Sequence, residues 1–167
     1  MRYFGFMPND FINGEGVCVS VWMAGCPHRC SGCHNQHMWN YEDGYEVDLD
    51  TTIEKIIQAI QANGLVRNLS ILGGEPLTPY NQKYTDIIIS EIKKRFPNIK
   101  VYLWTGYTYE FLLENINDHL KSILYQVDVL IEGPFINALR DISLPLRGSS
   151  NQRIMIHDTD YTFKVRE

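Results

Sequence analysis

Four short apolar runs in this chain each end in a glycine-bearing polar motif, and that recurrence restricts the possible folds more than any other feature. Val17 to Met23 is rich in β-branched and aromatic residues and stops at Ala24-Gly25. Leu69 to Leu72 leads into Gly73-Gly74-Glu75-Pro76, Val101 to Trp104 into Thr105-Gly106, and Val127 to Ile131 into Glu132-Gly133-Pro134. Runs of this length and composition, bounded by turn residues, read as buried strands. Arg153 to His157 reads as the last strand.

Helical patterns fill the intervals. Ile53, Ile56, Ile57 and Ile60 recur at i, i+3, i+4 and i+7, with Thr51-x-x-Glu54 as a capping box and Gly64 as a stop. Tyr84, Ile87, Ile88, Ile92 and Phe96 supply a second stripe, and Phe111 to Leu120 a third. Strands alternating with helices imply a parallel sheet with right-handed crossovers, whose ligands bind at the C-terminal strand ends. The glycine motifs all fall there. A complete eight-fold barrel takes about 250 residues, and this chain has 167. The expected fold is therefore α/β, an incomplete, open (βα) barrel with a mainly parallel sheet and an exposed mouth. No repeat, low-complexity tract or linker divides the sequence, so residues 1–167 are expected to form a single domain.

Apolar residues make up 44% of the chain and charged residues 21%, a balance that folds throughout. A net charge of -5 without a dense basic stretch argues against nucleic acid as a partner. The start at Met1 to Gly5 lacks the basic and apolar regions of a secretory signal, and no apolar stretch approaches membrane-spanning length. No membrane partner is expected, and the expected location is the cytoplasm.

Of the four cysteines, three fall within eight residues, Cys26-Pro27-His28-Arg29-Cys30-Ser31-Gly32-Cys33. Such clustering suits metal ligation better than a disulfide framework. Thiolates are soft ligands for iron-sulfur clusters or zinc. A four-iron cluster held by only three cysteines keeps one iron open to a small molecule. Two other arrangements are compatible with the spacing: a closed zinc tetrahedron completed by His28, His34 or His37, and a Cys30/Cys33 redox pair in which Cys26 is surplus. Cys18 lies within a strand and reads as a small buried hydrophobe, not a ligand.

The C-x3-C-x2-C spacing just after a strand resembles the signature of the radical S-adenosylmethionine enzymes. The likeness extends along most of the chain: Asn13-Gly14-Glu15-Gly16, Gly25 to Asn35, Gly73 to Leu77, Thr105-Gly106-Tyr107, Glu132 to Phe135 and Arg147 to Arg153 follow in order. Together these segments are similar to the activating proteins of anaerobic (class III) ribonucleoside-triphosphate reductases, and the Arg147 to Arg153 stretch is what points to that group.

The resemblance implies a radical-generating activase. Cys26, Cys30 and Cys33 would hold three irons of a [4Fe-4S] cluster, and the fourth iron would bind the amino and carboxylate groups of S-adenosylmethionine. One electron, delivered by a flavodoxin-like donor, would cleave that molecule to methionine and a 5'-deoxyadenosyl radical. The radical would take hydrogen from the glycyl-radical loop of the reductase large subunit. The chain's own part would be positioning and shielding, with no acid, base or nucleophile.

Gly73, Gly74 and Glu75 are implied to engage the methionine ammonium through a backbone carbonyl and the carboxylate. The residue before the third cysteine is commonly aromatic in the wider superfamily, but here it is Gly32. Adenine contact is then expected from backbone around Gly32, Cys33 and His34, or from another loop. Thr105 and Glu132 end later strands and either reach the ligand or cap turns. His28 and Arg29 either offset the cluster's charge or are exposed loop residues. Arg147 to Arg153 reads as a surface loop with a structural or partner-facing role. Two rival functions stand beside this one: an activase of another glycyl-radical enzyme, of the formate-lyase type, and a non-enzymatic Cys3His zinc module.

Overall fold

The computed structural model describes residues 1–166. Its strands are β1 (Arg2–Asp10), β2 (Val17–Met23), β3 (Tyr45–Glu46), β4 (Arg67–Gly73), β5 (Val101–Trp104), β6 (Val129–Glu132), β7 (Arg153–His157) and β8 (Phe163–Val165). The helices are α1 (Leu49–Gln61), α2 (Pro79–Arg95), α3 (Tyr109–Glu114) and α4 (Asp118–Gln126). All strands join one sheet in the order β3-β1-β2-β4-β5-β6-β7-β8.

The four runs that end in glycine motifs are the four parallel strands, β2, β4, β5 and β6. Their motifs consequently share one edge. The flanks are antiparallel: β1 on β2, β3 on β1, β7 on β6 and β8 on β7. The fold is thus α/β with an open mixed sheet whose centre alone is parallel. The expectation of a mainly parallel sheet holds for that centre and not for the flanks, and β7 is followed by a further strand.

β1 escapes a reading by alternation because Gly5 and Pro8 interrupt it. Pro8 is tolerated because β3 pairs only with Arg2 and Tyr3, so the proline stands where that side of the strand has no neighbour. The first helix begins earlier than the Thr51-x-x-Glu54 pattern suggests. Asp48 is its N-cap, with the side chain accepting from the Thr51 backbone N–H at 2.9 Å. The stretch Phe111 to Leu120 is two helices, not one. Asn115 ends α3, and Asn117 caps α4 by accepting from Leu120 N–H at 3.0 Å.

Alternation along the central strands separates two faces. Val19, Val21, Met23, Leu69, Ile71, Val101 and Leu103 pack with Ile56, Ile88, Ile92, Ile123 and Leu124 from α1, α2 and α4. The opposite face carries Cys18, Ser20, Ser70, Tyr102 and Trp104. The loop after β1 crosses it: the Asn13 carbonyl accepts from Ser70 Oγ, and a Cβ at Gly14 would fall against Cys18 Sγ, Tyr102 and Ser70. Cys18 is fully buried there, as a small apolar filler. Among the described residues, no helix is long and apolar enough to cross a membrane.

Candidate functional site

A cavity of about 580 Å³ opens at the shared edge of the parallel strands. Every parallel strand contributes the residues that follow it: Cys26 after β2, Gly73 and Gly74 at the end of β4, Thr105 and Gly106 after β5, Gly133 after β6. Cys30, Cys33, His34, Phe135, Trp104, Arg147 and Gln152 complete much of the wall.

The cysteine loop is held at both ends by main chain. Gly25 and Cys26 donate to the carbonyls of Met38 and Trp39, each at 2.9 Å, while Cys33 N–H turns back onto Cys30 O at 3.1 Å. Arg29 takes the left-handed conformation at φ 47° and lays its guanidinium over the Trp39 ring. The three thiols are therefore half-buried and face one space. Burial pushes the Cys26 thiol up to about 11, with the Glu75 carboxylate adding to the rise against hydrogen bonds from His28 and Arg29. Burial also raises Cys30, opposed by a backbone hydrogen bond from Phe135. Thiols with raised values become good ligands once a cation displaces the proton.

Glu75 is fully buried and lies outside the cavity wall. Its Oε1 accepts from Thr105 Oγ1 at 2.8 Å and Leu77 N–H at 2.9 Å. Its Oε2 accepts from Gly106 N–H at 2.7 Å and His28 Nε2 at 2.9 Å. A carboxylate has about four acceptor sites, so this one is fully used. Of the three residues expected at the ligand, Gly73 and Gly74 line the cavity and Glu75 does not. Sequence reasoning offered His28 as either a charge that offsets the cluster or an exposed loop residue. Instead it packs edge-on to Tyr107, with ring centroids 4.5 Å apart, and fills the space a Cβ at Gly106 would need.

The remaining expected residues divide. His34 lines the cavity but is exposed, and Gly32 lies outside the wall against the side chain of Asn137. Thr105 reaches the cavity while serving Glu75. Glu132 faces away: Oε1 accepts from Arg153 Nε, and Oε2 accepts from Tyr109 N–H at 2.8 Å. Trp104, Phe135 and Leu146 were missed as wall residues. Only the placement of Trp104 at a strand end hinted at it.

The donor set fits a cluster better than one ion. Among the described residues, no three His, Cys, Asp or Glu side chains come together closely enough to hold a single metal ion. A tetrahedral zinc with sulfur at about 2.3 Å needs that convergence. His28 is committed to Glu75, and His37 packs edge-on against Phe4. Three thiols that line one cavity suit a polynuclear cluster.

The chain is an iron-sulfur α/β protein and belongs to the 4Fe-4S single cluster domain family, whose model matches residues 12–155. Its similarity to named relatives extends over nearly whole chains. An anaerobic ribonucleoside-triphosphate reductase-activating protein of Haemophilus influenzae is 36% identical over 155 residues, 92% of this chain and 97% of that protein. Its counterpart in Enterobacteria phage T4 is 35% identical over 164 residues, 98% and 99% of the two chains. The Escherichia coli counterpart is 31% identical over 153 residues, 91% and 96%. Within the wider class, then, this chain is a member of the anaerobic ribonucleoside-triphosphate reductase-activating proteins.

Proposed function

We propose that this chain is an activating enzyme that cleaves S-adenosylmethionine reductively and generates a glycyl radical on an anaerobic ribonucleoside-triphosphate reductase. The observation that carries the reading is the meeting of three thiols, without a fourth, at one cavity with the Gly73-Gly74 backbone. Cys26, Cys30 and Cys33 would hold a [4Fe-4S] cluster, leaving one iron for the amino-acid end of S-adenosylmethionine. When bound, the cluster supplies one electron, and the sulfonium separates into methionine and a 5'-deoxyadenosyl radical that takes hydrogen from the partner's glycine.

The remaining work falls to this chain. Gly73 and Gly74 let main chain approach the ligand closely, and Glu75 holds that loop to Thr105, Gly106 and His28. Backbone around Gly32, Cys33 and His34, or another loop, would meet adenine; Cys33 and His34 line the cavity. We read residues 1–167 as one domain, a partial barrel of the radical S-adenosylmethionine type. The helix-free face and the strand-end cavity support that description. An open mouth suits a substrate that is a loop of another protein. A flavodoxin-like electron donor and a cytoplasmic setting complete the reading.

The test is anaerobic cluster reconstitution, reduction with dithionite and chromatography for 5'-deoxyadenosine. Wild type is expected to produce it, and Cys26→Ala, Cys30→Ala and Cys33→Ala are expected to produce none. Variants as active as wild type would sink the ligand assignment. Incubation with the reductase or with a formate lyase, followed by electron paramagnetic resonance, distinguishes the two partners: a glycyl radical is expected on the reductase alone.

A further inference from the structure

At the start of α2, before Ile88, Ile89 and Ile92 meet the core, three polar side chains are buried: Asn81, Gln82 and Thr85. Each donates to a carbonyl of the loop after β4. Asn81 Nδ2 reaches Glu75 O at 2.9 Å, Thr85 Oγ1 reaches Pro76 O at 2.9 Å, and Gln82 Nε2 reaches Leu77 O at 2.8 Å. Three consecutive carbonyls after Gly74 are thus fastened to one helix.

Of the three side chains, Asn81 alone also crosses to the cysteine loop. Its Nδ2 donates to Ala24 O at 2.9 Å, two residues before Cys26. Both hydrogens of one amide nitrogen are used on carbonyls of two different loops, which fixes the orientation of the amide. Its Oδ1 is buried and has no partner among the described residues. An unpaired buried acceptor costs stability, so filling the interior does not account for this side chain. Around it the two loops meet through main chain: Gly74 N–H donates to Met23 O at 2.9 Å, and Glu75 N–H to Gly25 O at 2.7 Å. A Cβ at Gly25 would fall on the hydroxyl of Tyr80, the residue before Asn81.

We propose that Asn81 is a positioning residue that sets the spacing between Cys26 and the Gly73-Gly74 backbone. This rests on the reading that S-adenosylmethionine binds in the cavity, its amino-acid end shared between the open iron and that backbone. A ligand held at two points tolerates little change in the distance between them. Asn81 lies outside the cavity wall and acts through the two loops it joins.

The test compares Asn81→Ala with Gln82→Ala, which removes a similar bond to the same loop but none to the cysteine loop. Two readouts are taken: amide hydrogen exchange at Gly74 and Glu75 in the protein before cluster reconstitution, and equilibrium binding of S-adenosylmethionine at matched iron content. Asn81→Ala is expected to speed exchange at both amides roughly 10-fold or more and to weaken binding roughly 10- to 100-fold. Gln82→Ala is expected to stay within about twofold of wild type in binding. Asn81→Ser, which keeps one donor, should recover part of the loss. Unchanged binding in Asn81→Ala, an equal loss in Gln82→Ala, or lost binding without faster exchange each overturns the proposal. If Asn81→Ala and Asn81→Ser both fail to retain iron, Asn81 is a scaffold residue and the proposal falls. A fully loaded wild type that does not bind S-adenosylmethionine overturns the function proposed above, a result distinct from any of these.

Discussion

His28 Nε2 stands 2.9 Å from Oε2 of Glu75, across 47 residues of sequence. This contact joins the loop that carries the cysteines to the loop after β4, and Glu75 continues it to Thr105 and Gly106 after β5. Three strand ends are fastened through one buried carboxylate.

Removing the imidazole leaves one acceptor site of that carboxylate unpaired and a void above Gly106. His28→Ala is expected to lower stability by about 1–3 kcal/mol, read as the urea midpoint at matched iron content. His28→Gln should recover part of the loss. A midpoint equal to wild type in the alanine variant would show that the contact has no energetic role.

Gly74 is close against the next loop: a Cβ there would fall on the backbone of Gly25, including its carbonyl oxygen. Backbone cannot swing aside as a side-chain tip does. Gly74→Ala is expected to cost about 1–3 kcal/mol and to reduce iron retained after reconstitution. At Gly148 the nearest neighbour of a new Cβ is the ring of Phe135, which can shift, so Gly148→Ala should cost less. The reverse order in paired denaturation curves would contradict the loop packing described here.

Arg67 is buried at 1% exposure and donates from Nε and Nη2 to Asn9 Oδ1 at 3.0 and 2.8 Å, and from Nη1 to the Ala62 carbonyl. It ties β1 to the end of α1. Arg67→Met is expected to cost about 2–3 kcal/mol. Asn9→Ala should cost less, and the double variant less than the sum, because the two residues share one interaction. Strict additivity in a double-mutant cycle would deny the coupling.

Asp10 lies below the ordinary carboxyl range. Burial alone pushes it up, but hydrogen bonds from Ser20, from the Asn13 side chain and from the backbone of Ile12 and Asn13 outweigh that. Because the folded value is below the unfolded 3.8, the unfolded chain binds the proton more readily. The contribution is complete above 3.8 and fades as pH falls through the folded value. The urea midpoint is therefore expected to drop in acid, and Asp10→Asn to show a smaller drop from a lower starting point. An unchanged acid slope in the variant would remove Asp10 from the account.

Much of the centre was legible in sequence. The four parallel strands announce themselves as apolar runs because both their faces are buried, and the cysteine spacing specifies a ligand loop because a short segment cannot separate its own thiols far. What stayed hidden depended on partners elsewhere. β1 carries Gly5 and Pro8 and is a strand by virtue of its pairing with β2 and β3. The break between α3 and α4 needed Asn117 read as a cap and not as a helical residue.

The sequence by itself determined the parallel centre, the edge on which the glycine motifs gather, the three-thiol loop and the family resemblance. These depend on local pattern and short spacing, which the chain carries everywhere. The tertiary structure decided that Glu75 is buried under His28, that Glu132 turns away to Arg153, and that Arg147 stands at the cavity. Each depends on how a loop travels between distant strand ends. A residue's neighbours there are set by packing of the whole sheet, which no local periodicity encodes.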